Sequence, residues 1–198
     1  MLYNIGKFFF TLLFKVLCRL EVFGTDNIPR EVGFILAGNH ISYLDPIVLG
    51  VVCPKALNFM AKEELFKNHF FGWVLKRVKA FPLKRSSADL SAIKEAIRRI
   101  KKGEALLLFP EGGRQTDGKL GLPQSGVGFL AAKLNVPVIP AFIRGTELAL
   151  PQGAKFIRPH KISVYFGKQI IVERRMAYQD IALEIMEAIR RLSCSRLN

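Results

Sequence analysis

The stretch that decides the fold reads Phe34-Ile35-Leu36-Ala37-Gly38-Asn39-His40-Ile41-Ser42-Tyr43-Leu44-Asp45-Pro46, and runs on into Ile47-Val48-Leu49-Gly50-Val51-Val52. Its first four residues are an unbroken apolar run, the pattern of a strand buried on both faces. Its last six read as the apolar side of a short helix. A histidine and an aspartate therefore stand five residues apart in a strand-to-helix turn, where polar side chains commonly project into a cleft. Asn39 and Ser42 have the side chains to bond local backbone and hold such a turn. Asp45 before Pro46 has the form of a helix N-cap with proline at the first helical position. On these residues alone, a cap and a turn histidine explain the pattern better than chemistry does.

Outward from this turn, apolar runs alternate with helical patterns. Strands are expected at 20–24, 34–38, 57–61, 105–109, 136–143 and 161–167, the last as an edge strand, with a short extended piece at 80–83. Helices are expected at 62–66, 70–78, 87–102, 125–135 and 178–192. In the helix at 87–102, Leu90, Ile93, Ile97 and Ile100 share one face, Ser86 or Ser87 is the expected cap, and Gly103 the stop. Gly126 and Gly128 are expected to let the helix at 125–135 approach a neighbour closely. This alternation predicts an α/β fold, helices over a mostly parallel sheet. In such sheets ligand groups gather at the carboxyl ends of strands. The histidine turn, Lys84-Arg85 and Glu111-Gly112-Gly113-Arg114 all follow strands, which predicts one cleft containing them. Two glycines let backbone amides approach an anion, and the Arg114 guanidinium can grip it with two bonds.

The 198 residues suit one domain or one domain with an appendage, and half of them are hydrophobic. Lys and Arg outnumber Asp and Glu by 30 to 16, a formal charge of +14. That balance implies an anionic partner. A positive mean hydropathy, sixteen phenylalanines and the lack of a basic-aromatic recognition motif argue against nucleic acid and for an anionic lipid surface. Residues 1–20 are apolar but interrupted by Lys7, Lys15 and Arg19, and the uncharged run is too short for the roughly 20 residues that span a bilayer. Lys7, Thr11, Lys15 and Arg19 fall within about 120° of a helical wheel, which predicts a helix lying in the membrane interface with its cations toward the headgroups. A helix docked on the core is the competing reading. No small-residue cleavage site marks the stretch as a signal peptide. The aromatic stretch at 70–78 fits core packing and lipid contact equally well. Cys18, Cys53 and Cys194 are isolated, as expected of reduced thiols facing the cytosol, and no spacing suggests a metal site. His69 and His160 stand alone.

The chemistry follows from the residue types. A histidine can take a proton from a hydroxyl, and an aspartate on its other ring nitrogen fixes the tautomer. No Gly-x-Ser-x-Gly elbow is present and Cys53 lies in an apolar run, so His40 would activate a substrate hydroxyl directly.

The sequence resembles the glycerolipid acyltransferases, in particular the 1-acyl-sn-glycerol-3-phosphate (lysophosphatidate) acyltransferases. His40 and Asp45 match their histidine-x4-aspartate motif. Phe81-Pro82-Leu83-Lys84-Arg85, Phe109-Pro110-Glu111-Gly112-Gly113-Arg114 and Val136-Pro137-Val138-Ile139-Pro140-Ala141 resemble the second, third and fourth motifs, in family order. The resemblance runs from about residue 21 to residue 167 and implies an acyltransferase domain at 21–198 behind the membrane-interface helix at 1–20. It implies acyl transfer from acyl-CoA or acyl-carrier protein to the sn-2 hydroxyl of lysophosphatidate, giving phosphatidic acid for phospholipid biosynthesis, with no cofactor and no metal. His40 would be the general base and Asp45 its orienting partner. Arg85, Glu111, Gly112, Gly113 and Arg114, helped by Lys84, would bind the acceptor. The implied location is peripheral or monotopic, on the cytoplasmic face of the cell membrane. Gly113 stands where the family usually has threonine or serine, which keeps other acceptors open: another lysophospholipid, glycerol 3-phosphate, or a lyso-aminolipid. An inactive membrane-binding protein and a basic nucleic-acid-binding module are the rival readings.

Overall fold

The computed structural model describes residues 2–84, 89–115, 118–173 and 175–194. Among these, helix α1 (Leu2–Cys18) leads into strand β1 (Glu21–Phe23). Four strand-helix units follow: β2 (Phe34–Gly38) with α2 (Asp45–Val52), β3 (Leu57–Lys62) with α3 (His69–Arg77), β4 (Ala80–Leu83) with α4 (Leu90–Lys101), and β5 (Ala105–Leu108) with α5 (Ser125–Leu134). The chain ends through β6 (Val138–Arg144), the short helix α6 (Thr146–Ala149), β7 (Ser163–Phe166) and α7 (Tyr178–Cys194). The seven strands of the described residues form one sheet in the order β1-β7-β6-β2-β5-β3-β4. Strands β2 to β6 are mutually parallel, and β7 runs antiparallel to β6 but parallel to β1.

The expected fold class is the observed one. The expected edge position of the strand at 161–167 is not: β7 lies between β6 and β1, and all four of its residues are buried. Strand β1 takes the edge in its place. It is three residues of ordinary polarity that gave no signal of covering a neighbour. The short helix expected at 62–66 is a 3-10 helix over Glu63–Phe66. Helix α4 starts at Leu90, where the Asp89 carboxylate accepts from the amides of Ser91 and Ala92. The residues expected to cap it, Ser86 and Ser87, lie outside the described residues.

The alternation along β2 builds a three-layer core. Phe34 and Leu36 pack with α2 and with Phe14 and Cys18 of α1; Ile35 and Ala37 face α4, α5 and α7 on the other side. Gly128 explains the close approach of α5 and α7, since a Cβ there would sit 1.9 Å from the Tyr178 carbonyl oxygen. Gly126 has open space around it and plays no such part. Because Ala37 pairs with Leu108 and Gly38 with Ala141, the carboxyl end of β2 lies between those of β5 and β6. The turn after β2 is therefore flanked by the loop after β5 and by the segment after β6.

Candidate active site

Helix α2 begins with Asp45 and Pro46, but Asp45 does not cap it. The N-cap position belongs to Leu44, and no side chain caps there. The Asp45 carboxylate turns back on the preceding loop instead. Its Oδ2 accepts from the amides of Ile41 and Ser42, each at 2.7 Å, and from Nδ1 of His40 at 2.9 Å. Its Oδ1 accepts from the Thr146 hydroxyl at 2.6 Å. Asp45 is fully buried, so these four donors replace the water an ionised carboxylate would otherwise require. A carboxylate only accepts, so the His40 proton resides on Nδ1 and Nε2 keeps its lone pair. The imidazole is 17% exposed and stacks on Phe109, ring centroids 4.0 Å apart. It is thus fixed by Asp45 at one edge and by an aromatic ring across one face.

The loop after β5 grips the same turn. Glu111 Oε2 accepts from the His40 amide at 2.9 Å, its Oε1 accepts from the Gly121 amide at 3.0 Å, and the Gln115 amide donates to the His40 carbonyl at 2.7 Å. Burial pushes the Glu111 carboxyl up from its ordinary value, against the pull of those two amides. The sequence expectation placed Glu111 on the acceptor. The carboxylate is 4% exposed with both oxygens engaged on backbone, so it braces the turn against its own loop. Gly112 has a positive φ of 69°, and a Cβ there would meet the Gln124 side chain at 2.4 Å. Gly113 faces open space. The Arg114 guanidinium lies 3.4 Å from the centroid of the Tyr43 ring, a cation–π contact that pins the cation over the turn carrying His40.

His40, Asp45, Glu111, Gly112, Gly113 and Arg114 therefore belong to one cluster. Lys84 stands apart. It follows β4, three strand spacings or roughly 14 Å from β2. Its ammonium lies 3.8 Å from Glu63, and its amide donates to Asp89. Arg85 lies outside the described residues. Asn39 does not hold its own turn as expected. It bonds both backbone groups of Ile143 in β6, at 2.9 and 2.8 Å, because it is buried between two strands that offer it a peptide unit. Ser42 does serve locally, accepting from the Leu44 amide at 3.3 Å. Thr146 escaped sequence reasoning. The signal that could have found it is the one used for the others, a polar residue just past the carboxyl end of a strand. Among the described residues no three His, Cys, Asp or Glu side chains gather as a metal-holding set.

Helix α1 packs against α2, with its polar contacts at the end of α2 away from the catalytic turn. Lys7 does not point outward as the wheel predicts. Its ammonium donates to the Cys53 carbonyl at 2.5 Å, at the C-terminal end of α2, where free carbonyls favour a cation. Tyr3 donates to the Gly50 carbonyl and accepts from the Leu57 amide. The outward face is instead apolar: Ile5, Phe8, Phe9, Leu12 and Val16 are exposed and span about 100° of the helix. No helix of the described residues is long and apolar enough to cross a membrane.

Residues 19–144 match the family model described as acyltransferase. The chain is 31% identical over 153 residues to the 1-acyl-sn-glycerol-3-phosphate acyltransferase of Bacillus subtilis, covering 76% of this chain and 73% of that one. It is 30% identical to the Streptococcus pneumoniae protein of the same description over 87% of this chain and 64% of that one. The chloroplastic BAT2 protein of Brassica napus, also so described, is 31% identical over 72% of this chain but only 42% of its own length. The crystal structure of the 1-acyl-sn-glycerophosphate acyltransferase PlsC from Thermotoga maritima superposes with a TM-score of 0.77 at 29% identity, covering all of this chain and 80% of that one.

Proposed function

The chain belongs to the acyltransferase family, and from that premise we propose that it acylates the sn-2 hydroxyl of 1-acyl-sn-glycerol 3-phosphate to give phosphatidic acid in phospholipid biosynthesis. His40 Nε2 takes the proton from the hydroxyl as its oxygen attacks the thioester carbonyl of the donor. The Asp45 carboxylate stabilises the imidazolium that forms. The tetrahedral intermediate collapses, the C–S bond breaks, and the imidazolium returns its proton to the departing thiolate. The donor is acyl-CoA or acyl-carrier protein. The observation that carries this reading is the His40 Nδ1 to Asp45 Oδ2 bond at 2.9 Å, in a turn over which Arg114 is stacked.

Arg114 and the amides of Gly112 and Gly113 are the proposed cradle for the glycerol phosphate, and Lys84 and Arg85 are proposed as further acceptor-binding residues. Glu111 contributes by holding the His40 amide in place. A lipid acceptor must be taken from a bilayer. The apolar outer face of α1, on a helix packed against α2, supports peripheral binding in the interface, which we assign to the cytoplasmic face of the cell membrane.

The test is a product assay on the purified full chain, with acyl-CoA or acyl-carrier protein and with lysophosphatidate, glycerol 3-phosphate, other lysophospholipids and a lyso-aminolipid as acceptors. Phosphatidic acid formed faster than any other product supports the proposal. Faster acylation of another acceptor, favoured by the missing Gly113 side chain, would replace it.

A further inference from the structure

We propose that Thr146 is a positioning residue for the reaction: its hydroxyl holds the Asp45 carboxylate in the orientation that serves the His40 imidazole. The inference rests on the reading of His40 as the base. Three of the four donors to Asp45 come from its own turn, and all three meet Oδ2. Among the described residues Thr146 is the donor to Oδ1, at 2.6 Å and 101 residues away in sequence. Both residues are fully buried, so solvent cannot take over the bond. Thr146 also falls beyond residue 144, where the family match ends, and outside the four sequence motifs.

The local structure is built to deliver this hydroxyl. Ile143 is fixed to Asn39 by two bonds, and Ser42 donates to the Leu150 carbonyl at 3.5 Å. Between those ties Gly145 adopts φ of 88° with its Cα against the Lys161 carbonyl, a conformation and a closeness that exclude a Cβ. The segment from Ile143 to Leu150 is therefore registered on the catalytic turn at both ends, with Thr146 between them.

The chemical consequence follows from where the carboxylate's charge resides. A donor on Oδ1 keeps the carboxylate plane aligned and draws charge away from Oδ2. Without it, Oδ1 is a buried acceptor with no partner, while the three donors on Oδ2 still hold that oxygen against Nδ1. The charge then concentrates toward the imidazole, which binds its second proton more readily. Turnover falls while the acceptor's and donor's own contacts are untouched.

The experiment compares Thr146→Ser, Thr146→Cys and Thr146→Val with the parent and with His40→Ala, measuring kcat, both KM values and the pH profile of kcat/KM. Serine keeps the donor, cysteine weakens it, and valine removes it at nearly constant volume. The expected order of kcat is Ser, then Cys, then Val, with valine down about tenfold or more, the size of effect that orphaning one buried acceptor produces. KM values stay within about twofold of the parent, a pattern that marks loss of a transition-state interaction. The acid limb of the profile moves to higher pH in the valine variant. Glu111 on the loop after β5, Arg114 over Tyr43, and Arg144 and Glu147 beside Thr146 are common to all variants, so they do not produce the shift. Should valine prevent folding, the serine-to-cysteine step carries the same comparison. Equal kcat and unshifted profiles across the series, with His40→Ala inactive, would overturn the role of Thr146 alone. Parental turnover in His40→Ala would remove the base, and this inference with it.

Discussion

At the scale of single residues, the site concentrates its hydrogen bonds on holding one imidazole still. Asn39 makes the point beyond the reacting groups. Its amide answers both polar groups of the Ile143 peptide, so Asn39→Ala leaves a buried N–H without a partner. A loss of about 1–3 kcal/mol in urea unfolding is expected, together with reduced kcat as the turn loosens. Arg114→Ala should raise KM for lysophosphatidate about tenfold or more, since a charge-assisted contact to phosphate is lost, with little change in KM for the donor. Unchanged acceptor dependence would remove Arg114 from the cradle. The two adjacent glycines differ. Gly113 has room for a side chain, whereas any Cβ at Gly112 is strained by its φ of 69° and must push the Gln124 side chain aside. Gly113→Ser should leave the melting temperature unchanged and alter acceptor preference, whereas Gly112→Ser should lower both stability and turnover.

At the scale of elements, α1 has an inner face committed to the fold and an outer face committed to nothing among the described residues. Phe8→Ser and Phe9→Ser together should weaken binding to anionic phospholipid vesicles by tenfold or more, because burying each phenylalanine is worth about 1.5–3 kcal/mol. Thermal stability should hold, since both side chains are exposed. Equal vesicle binding by the double variant would place the membrane contact elsewhere. Helix α4 offers a pH test. Bonds from Arg98 and then Arg99 hold the Glu95 carboxyl down to about 2. A depressed carboxyl pKa stabilises the fold fully above the ordinary value of 4.5, and that contribution is lost as pH falls from there toward 2. Between pH 5 and pH 3 the parent should therefore lose more stability than Glu95→Gln, as measured by urea midpoints. At the contact of α5 with α7, Gly128→Ala should cost about 1–3 kcal/mol, because the Tyr178 carbonyl already fills the space.

At the scale of the molecule, the thiols report the packing. Cys18 and Cys53 are buried and Cys194 is exposed, and burial pushes the Cys53 thiol up to about 11. One thiol should react with a disulfide reagent at neutral pH, and all three after denaturation. The architecture was legible wherever a local pattern reports a global fact. Continuous apolar runs such as Ala105–Leu108 mark strands covered on both faces, and polar residues after them mark one edge of the sheet. What the sequence concealed was the finer relation between distant strands: which of them takes the edge, and which side chain reaches another strand's turn. Nothing local separates β7 as an interior strand from an edge strand, since that depends on β1 pairing with it across about 140 residues of chain. The same blindness hid Thr146, turned Lys7 outward on a helical wheel when it faces α2, and set Glu111 on a substrate when its carboxylate faces two amides. The claim beneath all of this is that the His40 imidazole, steadied by Asp45, removes the acceptor's proton. The most direct measurement is the rate of phosphatidic acid formation by folded His40→Ala beside the parent chain. The account predicts a fall of about 10²–10⁴-fold with lysophosphatidate still bound; a rate within a few-fold of the parent would contradict it.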